Sequence, residues 1–448
     1  MYKEFSNINK LHNCQLVCLI GESFLTKISH FSASSLCFEK KDLKQDLDKK
    51  VTIKVAKENN QNINVKLSGY FTTDKENYLS FIIEEKDQVF FFDYVTERRK
   101  EEHLDLCLYQ DVEAKDQFTG FSSFSLIPES LPELDFDDIK YDQIFLGKKF
   151  SAPILITGMV GGVKQAVFIN ENLALAASKL NIPMGIGSQK LAVENPKFNT
   201  KFELKNKFPN LFLIGNLGFT DLILQKDPVS YCRKAVEMIQ ADALAIHINV
   251  LQECLQPEGN TRFKGAYQVI ERICENLAVP ILIKEVGSGL SPQTAKRLKA
   301  CGVSALDVGG KGGTSWNYIE HLRSNKNSIE KPRETFRDWG IPTAFALGTL
   351  SNEKLGIPLV ATGGIRNGLM IAKACAIGAQ MVGIGLPLLQ AAAQSEHAVV
   401  DKIKNYIHEL KVSLIGTGSK SLASLNNKIC VGRPFESQFK SQIFKNLN

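Results

Sequence analysis

The first 97 residues contain no arginine. The whole chain has only two tryptophans, no CxxC pair, and no apolar run near the ~18–20 residues that a membrane-spanning helix requires. Each absence excludes something. Ten cysteines scattered without pairing, from Cys14 to Cys430, argue against a zinc site or a disulfide framework and for reduced thiols in a cytoplasmic protein. The N-terminus lacks the layout of a signal peptide. No acidic or basic tail is present, and a net charge of +6 over 448 residues is mild, so nucleic acid is not an expected partner. A locally basic pocket for a phosphorylated ligand stays open.

What is present is ordinary globular material, 44% hydrophobic and 23% charged. Composition divides the chain near residue 95. Before it, Val51–Val55, Ile63–Leu67 and Tyr78–Ile83 alternate as half-buried strands, which predicts a small β-rich domain over residues 1–95. After Arg98-Arg99-Lys100 comes a polar, irregular stretch to about Gly147, within a second domain spanning 96–448.

From there eight short apolar strands recur, at Ile154–Ile156, Met184–Ile186, Leu211–Ile214, Ala243–Ile246, Ile281–Ile283, Ala305–Val308, Leu359–Ala361 and Met381–Ile384. Amphipathic helices lie between them. Ser291 suits an N-cap, Pro292 the first turn and Gly302 the stop of one such helix, and Asn367 to Gly378 repeats the logic. Eight apolar strands joined by helices predict an α/β fold closed as a (β/α)₈ TIM barrel. The connection from Ser315 to Pro358 is too long for one unit and predicts an insertion over the active-site face.

Chemistry in such barrels sits just past the C-terminal ends of the strands. Here those ends carry Met159-Val160-Gly161-Gly162, Gly187-Ser188-Gln189, Asn216, His247 to Asn249 with Gln252-Glu253, Lys284-Glu285, Gly309 to Trp316, Gly363-Gly364-Ile365-Arg366 and Gly385-Leu386. A single glycine pair reads most simply as a tight turn. Glycines after strands seven and eight, with Thr314-Ser315 after strand six, together read as a backbone cradle for phosphate. Lys284 would be a costly buried ammonium unless an anion lies over it or Glu285 pairs with it. His247 has a plain alternative as a core histidine, and Arg99, Lys100 and His103 as a solvated basic patch.

The segments Arg99-Lys-Glu-Glu-His103, His247 to Gly259, Lys284 to Gly289, Asp307 to Trp316, Trp339 to Ala344 and Gly363 to Arg366 resemble the type 2 isopentenyl-diphosphate isomerases, from about residue 98 to the end. That likeness implies reduced FMN, a divalent metal (Mg²⁺), NADPH as priming reductant, a homo-oligomer, and interconversion of isopentenyl and dimethylallyl diphosphate. It assigns the flavin to Met159, Val160, Gly161, Ser188, Asn216, Lys284, Thr314, Gly363, Gly364, Arg366, Gly385 and Leu386. It assigns the diphosphate to Arg99, Lys100, His103 and Gln252, the metal to Glu253, and catalysis to Gln252, His247 and Asn249. Two positions depart from the family. Val160 replaces a threonine and loses a hydroxyl that the flavin could use, and Gly385-Leu386-Pro387 replaces Ala-Arg-Pro.

Residues 1–95 fall outside the likeness and are faintly similar to PilZ domains. His30 and Ser34 or Ser35 depart from that family's turn, and its arginine pair is missing, so nucleotide binding is not expected there. Two other readings share the barrel. One is an FMN oxidoreductase of the 2-hydroxyacid oxidase or IMP dehydrogenase kind. Gly309–Trp316 lacks the cysteine that the latter needs, and His321 and Arg323, the only candidates for the former, read as helical. The other is a barrel that has lost catalysis and serves as a binding module.

Overall fold

The structure, a computed structural model, describes residues 16–20, 24–27, 30–31, 35–39, 51–57, 63–75, 78–83, 85–159, 161–256, 259–323 and 332–431. Two compact units are present. One comprises residues 1–102, 252–259 and 320–331, and the other residues 103–251, 260–319 and 332–448.

Among the described residues of the first unit, seven strands form one antiparallel sheet. Its order is Phe24–Lys27, Leu16–Ile20, Val51–Lys57, Ile63–Lys75, Tyr78–Ile83, Ser35–Glu39 and His30–Phe31. The three strands anticipated from alternation are its centre, and the middle one runs on to Lys75. The stretch expected to be irregular begins instead inside a 25-residue helix, Glu85–Tyr109. No glycine or proline interrupts it, and Glu, Lys, Arg and Leu in its second half are strong helix formers. Its aromatic first half, Phe90-Phe91-Phe92, conceals the 3.6-residue period that would have announced it.

The second unit is a closed parallel barrel of eight strands in sequential order: Ile154–Ile156, Met184–Gly185, Leu213–Gly218, Ala243–Ile248, Ile281–Glu285, Ala305–Asp307, Leu359–Thr362 and Met381–Ile384. All eight overlap the apolar runs that predict them, although the third, expected at Leu211–Ile214, lies at Leu213–Gly218. Caps follow the local chemistry. Ser291 Oγ accepts from the Thr294 amide and Gly302 takes φ +86° just past the helix Pro292–Ala300. Asn367 Oδ1 accepts from the Met370 amide in the same way.

A hairpin, Gln143–Phe145 with Lys148–Phe150, sends Phe145 and Phe150 into the core against Leu155, Phe212, Ala243, Leu282, Ala305 and Met381. Several of these residues open their strands, so the hairpin plugs the N-terminal end of the barrel. The polar groups are left to the opposite end. The long connection after strand six contains the helices Trp316–Arg323, Pro332–Thr335 and Thr343–Asn352, and the last of these packs on strand seven. His321 and Arg323 are helical, as the sequence suggests. No helix among the described residues is long and apolar enough to cross a membrane.

Candidate active site

At the C-terminal end of the barrel, strand register sets His247, Lys284 and Asp307 side by side on strands four, five and six. Lys284 and Asp307 are buried. Burial pushes the Asp307 carboxyl above its ordinary range, and the Lys284 charge pulls it back down. Asp307 accepts from the Gly309 amide at 3.1 Å and from Thr362 Oγ1 at 3.0 Å. Lys284 Nζ donates to the main-chain oxygen of Glu285 at 3.2 Å. The Glu285 carboxylate is therefore not its partner, because adjacent residues of a strand point to opposite faces.

The orientation of His247 follows from a chain of buried amides. Gln189 Nε2 donates to the Ala235 carbonyl at 2.7 Å, which leaves its Oε1 to accept from the Asn216 amide at 2.8 Å. Asn216 Nδ2 donates to the Ile186 carbonyl at 2.8 Å, so its Oδ1 must accept from His247 Nδ1, also at 2.8 Å. A neutral His247 ring thus carries its lone pair on Nε2. Gln189 stands among the residues at the end of strand two, but its part in orienting His247 rests on contacts with Ala235 and Asn216 that nothing local in the sequence announces.

After strands six and seven the backbone folds on itself. A Cβ on Gly363 would lie 2.1 Å from the Gly310 oxygen, and one on Gly364 would lie 2.4 Å from the Gly312 oxygen. Gly364 also has φ +70°, a region that other residues enter at a cost. Thr343 Oγ1 fixes the turn by donating to the Gly363 carbonyl at 2.7 Å. Among the described residues, the amides of Gly364, Gly385 and Leu386 donate to no main-chain oxygen. Met159 lies over Gly385, where a Cβ would come within 3.3 Å of its Sδ. Gly161 is buried against Gly187, and Ser188 is half-buried on the next loop. Val160 lies outside the described residues.

Gly364→Ala is expected to destabilise the barrel by at least about 1–3 kcal/mol, the usual cost of such backbone strain, and to weaken retention of any bound mononucleotide. Thermal melting and gel filtration with FMN would measure both; an unchanged melt would mean that these loops yield freely.

The segment 111–119 lies across these loops. Thr314 bridges to Glu113, the Ser315 amide donates to the Val112 carbonyl, and a Cβ on Gly364 would strike Thr119. Arg366, assigned by resemblance to the flavin, is paired with the Glu113 carboxylate and donates to the Ile365 carbonyl. In this geometry Arg366 brackets the overlying segment. Glu113 and Thr119 were not legible, because both come from a stretch that has no periodic pattern. His103, on the long helix, meets the Trp316 ring edge-on at 5.3 Å, and Asn249 is buried just past strand four.

The first unit holds its own polar group. Gln252 and Glu253, on the helix Val250–Leu255, are both buried. Gln252 Nε2 donates to Glu320 Oε1 at 3.1 Å. Glu320 is fully buried and accepts from Arg323 Nη1 at 2.6 Å, while Arg323 Nε reaches Glu102 at 3.2 Å. An ionised, acceptor-only Glu320 compels Gln252 to offer it the NH₂ group and to turn its carbonyl oxygen elsewhere. Gln256 Nε2 donates to Glu253 Oε2 at 3.2 Å. Arg99 and Lys100 are half-buried on the long helix. Among the described residues, no cluster of three or more His, Cys, Asp or Glu side chains is able to hold a metal.

Residues 230–432 match a family model described as FMN-dependent dehydrogenase. By fold, the chain is similar to a mandelate oxidase (TM-score 0.51, 17% identity, 73% of this chain and 95% of the other) and to (S)-mandelate dehydrogenase (0.52, 17%, 76% and 98%). In sequence it is 41% identical over 332 residues to an isopentenyl-diphosphate delta-isomerase of Nostoc sp., covering 74% of this chain and 95% of that one. It is 40% identical over 351 residues to the enzyme of the same name from Pyrococcus furiosus, covering 77% and 89%. The low-identity structures establish the barrel alone, whereas the relatives near 40% establish descent: the chain is an isomerase belonging to the isopentenyl-diphosphate delta-isomerase family.

Proposed function

We propose that this enzyme interconverts isopentenyl and dimethylallyl diphosphate by an allylic proton shift, with reduced FMN and Mg²⁺ bound, and with NADPH as the reductant that primes the flavin. We read it as a cytoplasmic homo-oligomer. The observation that carries the proposal is the cradle after strands six to eight, where backbone crowds out side chains beside a buried Lys284. Three amides that, among the described residues, donate to no main-chain oxygen suit a phosphate that side chains would displace. The fit extends to the metal. Mg²⁺ typically takes one or two carboxylates and fills its shell with substrate phosphate and water, so a single ligand at Glu253 is enough.

The two diphosphates are isomers. One proton is added at the terminal methylene carbon, one is lost from the carbon on the other side of the double bond, and no electrons are exchanged overall. Bound and reduced, FMN supplies an electron-rich ring that gives and retakes a proton and steadies positive charge on the substrate. The chain's residues do the rest. The amides of Gly364, Gly385 and Leu386 hold the FMN phosphate, with Met159, Val160, Gly161, Ser188, Asn216 and Thr314 along the cofactor. Lys284 offsets the negative charge of the reduced ring. Arg99, Lys100 and His103 bind the diphosphate, and Glu253 would hold Mg²⁺, which would supply positive charge to the diphosphate. Gln252, oriented by Glu320, turns its carbonyl oxygen to the substrate. His247 and Asn249 position the substrate, and His247 Nε2 can accept a proton.

The test is direct. The purified protein, with FMN reduced anaerobically and Mg²⁺ present, should form dimethylallyl diphosphate from isopentenyl diphosphate. A protein that takes up no FMN, or one that instead oxidises a 2-hydroxy acid, would overturn the reading.

A further inference from the structure

On the outer side of the barrel, a recess of about 710 Å³ opens between the helices Ala266–Asn276 and Pro292–Ala300 and the turn Trp339–Ile341. Its volume lies in the range of small-molecule sites. Its walls are apolar, with Tyr267, Ile270, Leu298 and Ile341 among them, and Trp339 at the rim is 59% exposed. The buried carboxylate of Glu285 also lines it. One oxygen, Oε2, accepts from the amides of Gly287 at 2.7 Å, Ser288 at 2.5 Å and Gly289 at 3.1 Å. Among the described residues, nothing donates to the other oxygen, Oε1. The three amides fix the carboxyl group rigidly, so the remaining acceptor is presented to the recess at no further ordering cost.

We propose that this recess binds a small hydrophobic monoamine, with its ammonium group on Glu285 Oε1 and its hydrocarbon part against Tyr267, Ile270, Leu298 and Ile341. The site is separate from the catalytic one, since Glu285 and Lys284 alternate across the same strand. Charge complementarity selects the amine. An anion would face a carboxylate, and a neutral apolar molecule would leave a buried acceptor without a donor. The charged groups on surrounding elements are few. Lys284, on the same strand, draws the Glu285 carboxyl down electrostatically, against the burial that raises it. Arg297 is stacked on Tyr267 at 3.6 Å, and Asp338 beside the rim accepts from the Lys115 amide.

The probe is 3-phenylpropylammonium, measured by calorimetry on the FMN-loaded protein, with 3-phenylpropanol as the neutral control. The amine should bind about tenfold or more tightly than the alcohol, as expected for a charge-assisted contact. Burial raises the Glu285 carboxyl to about 7. Its negative charge therefore grows between pH 6 and pH 8, while the amine stays protonated, and affinity should rise over that interval. Glu285→Gln should erase both the preference for amine and the pH dependence. If that variant folds poorly, Ala266→Trp, which fills the recess and leaves Glu285 in place, should block the amine. Equal affinity for amine and alcohol, a flat pH profile, or undiminished binding to Ala266→Trp would each overturn the proposal.

Discussion

Lys284→Met is expected to lower isomerase turnover by about 10²–10³-fold, the effect usual for losing one preorganised electrostatic group. Methionine keeps most of the volume, so the loss is of charge. That charge has a second task, because it is the attraction that lowers the Asp307 carboxyl against the burial that raises it. Without Lys284, Asp307 is raised further. A carboxyl whose folded pKa lies above its unfolded value stabilises the fold at low pH and loses that contribution as pH rises through the folded pKa. The Lys284→Met protein should therefore melt highest in acid and progressively lower toward neutral pH. Adding Asp307→Asn should remove this slope and restore the melt while leaving turnover low. If the double variant instead recovered activity, the role of Lys284 would be to balance Asp307 alone, and its proposed place beside the flavin would be wrong.

That pairing marks the limit of what the chain discloses before folding. The eight barrel strands were legible because each is a short apolar run buried on both faces, and because Ser291, Pro292, Asn367 and Gly378 punctuate the helices in a local, sequence-near manner. Partners were not legible. Glu285 adjoins Lys284 in sequence but faces the other way, while Asp307 is brought alongside by strand register. Gln189 orients His247 through Asn216 across three strand ends, and Glu320 orients Gln252 from 68 residues away. Such contacts depend on long-range closure. The helix Glu85–Tyr109 was missed for a different reason. Its start is rich in aromatic residues, which carry little helix preference of their own.

Glu253→Gln is the variant with the next largest expected effect, and it separates the metal from the flavin. Glutamine has the same shape and can still accept from Gln256 through its oxygen, so the local hydrogen bond at 3.2 Å can survive. The negative charge, which a hard divalent cation requires, does not. With Glu253 as the proposed protein ligand, apparent Mg²⁺ affinity should fall by about tenfold or more, a loss at least as large as that of a supporting group. Turnover at fixed Mg²⁺ should fall with it and recover in part as Mg²⁺ is raised. FMN uptake and the flavin spectrum should not change, because the cradle is made by Gly364, Gly385 and Leu386 and none of these is on the helix Val250–Leu255. Glu253→Asp, with the charge kept on a shorter stem, should fall between the two. The pattern matters more than the size of any one effect. Lost activity with unchanged Mg²⁺ dependence would move the metal elsewhere, and lost flavin binding would show that Glu253 supports the fold of the site. Loss of metal response with an intact spectrum is the outcome that places the cation, and with it the diphosphate, at Glu253.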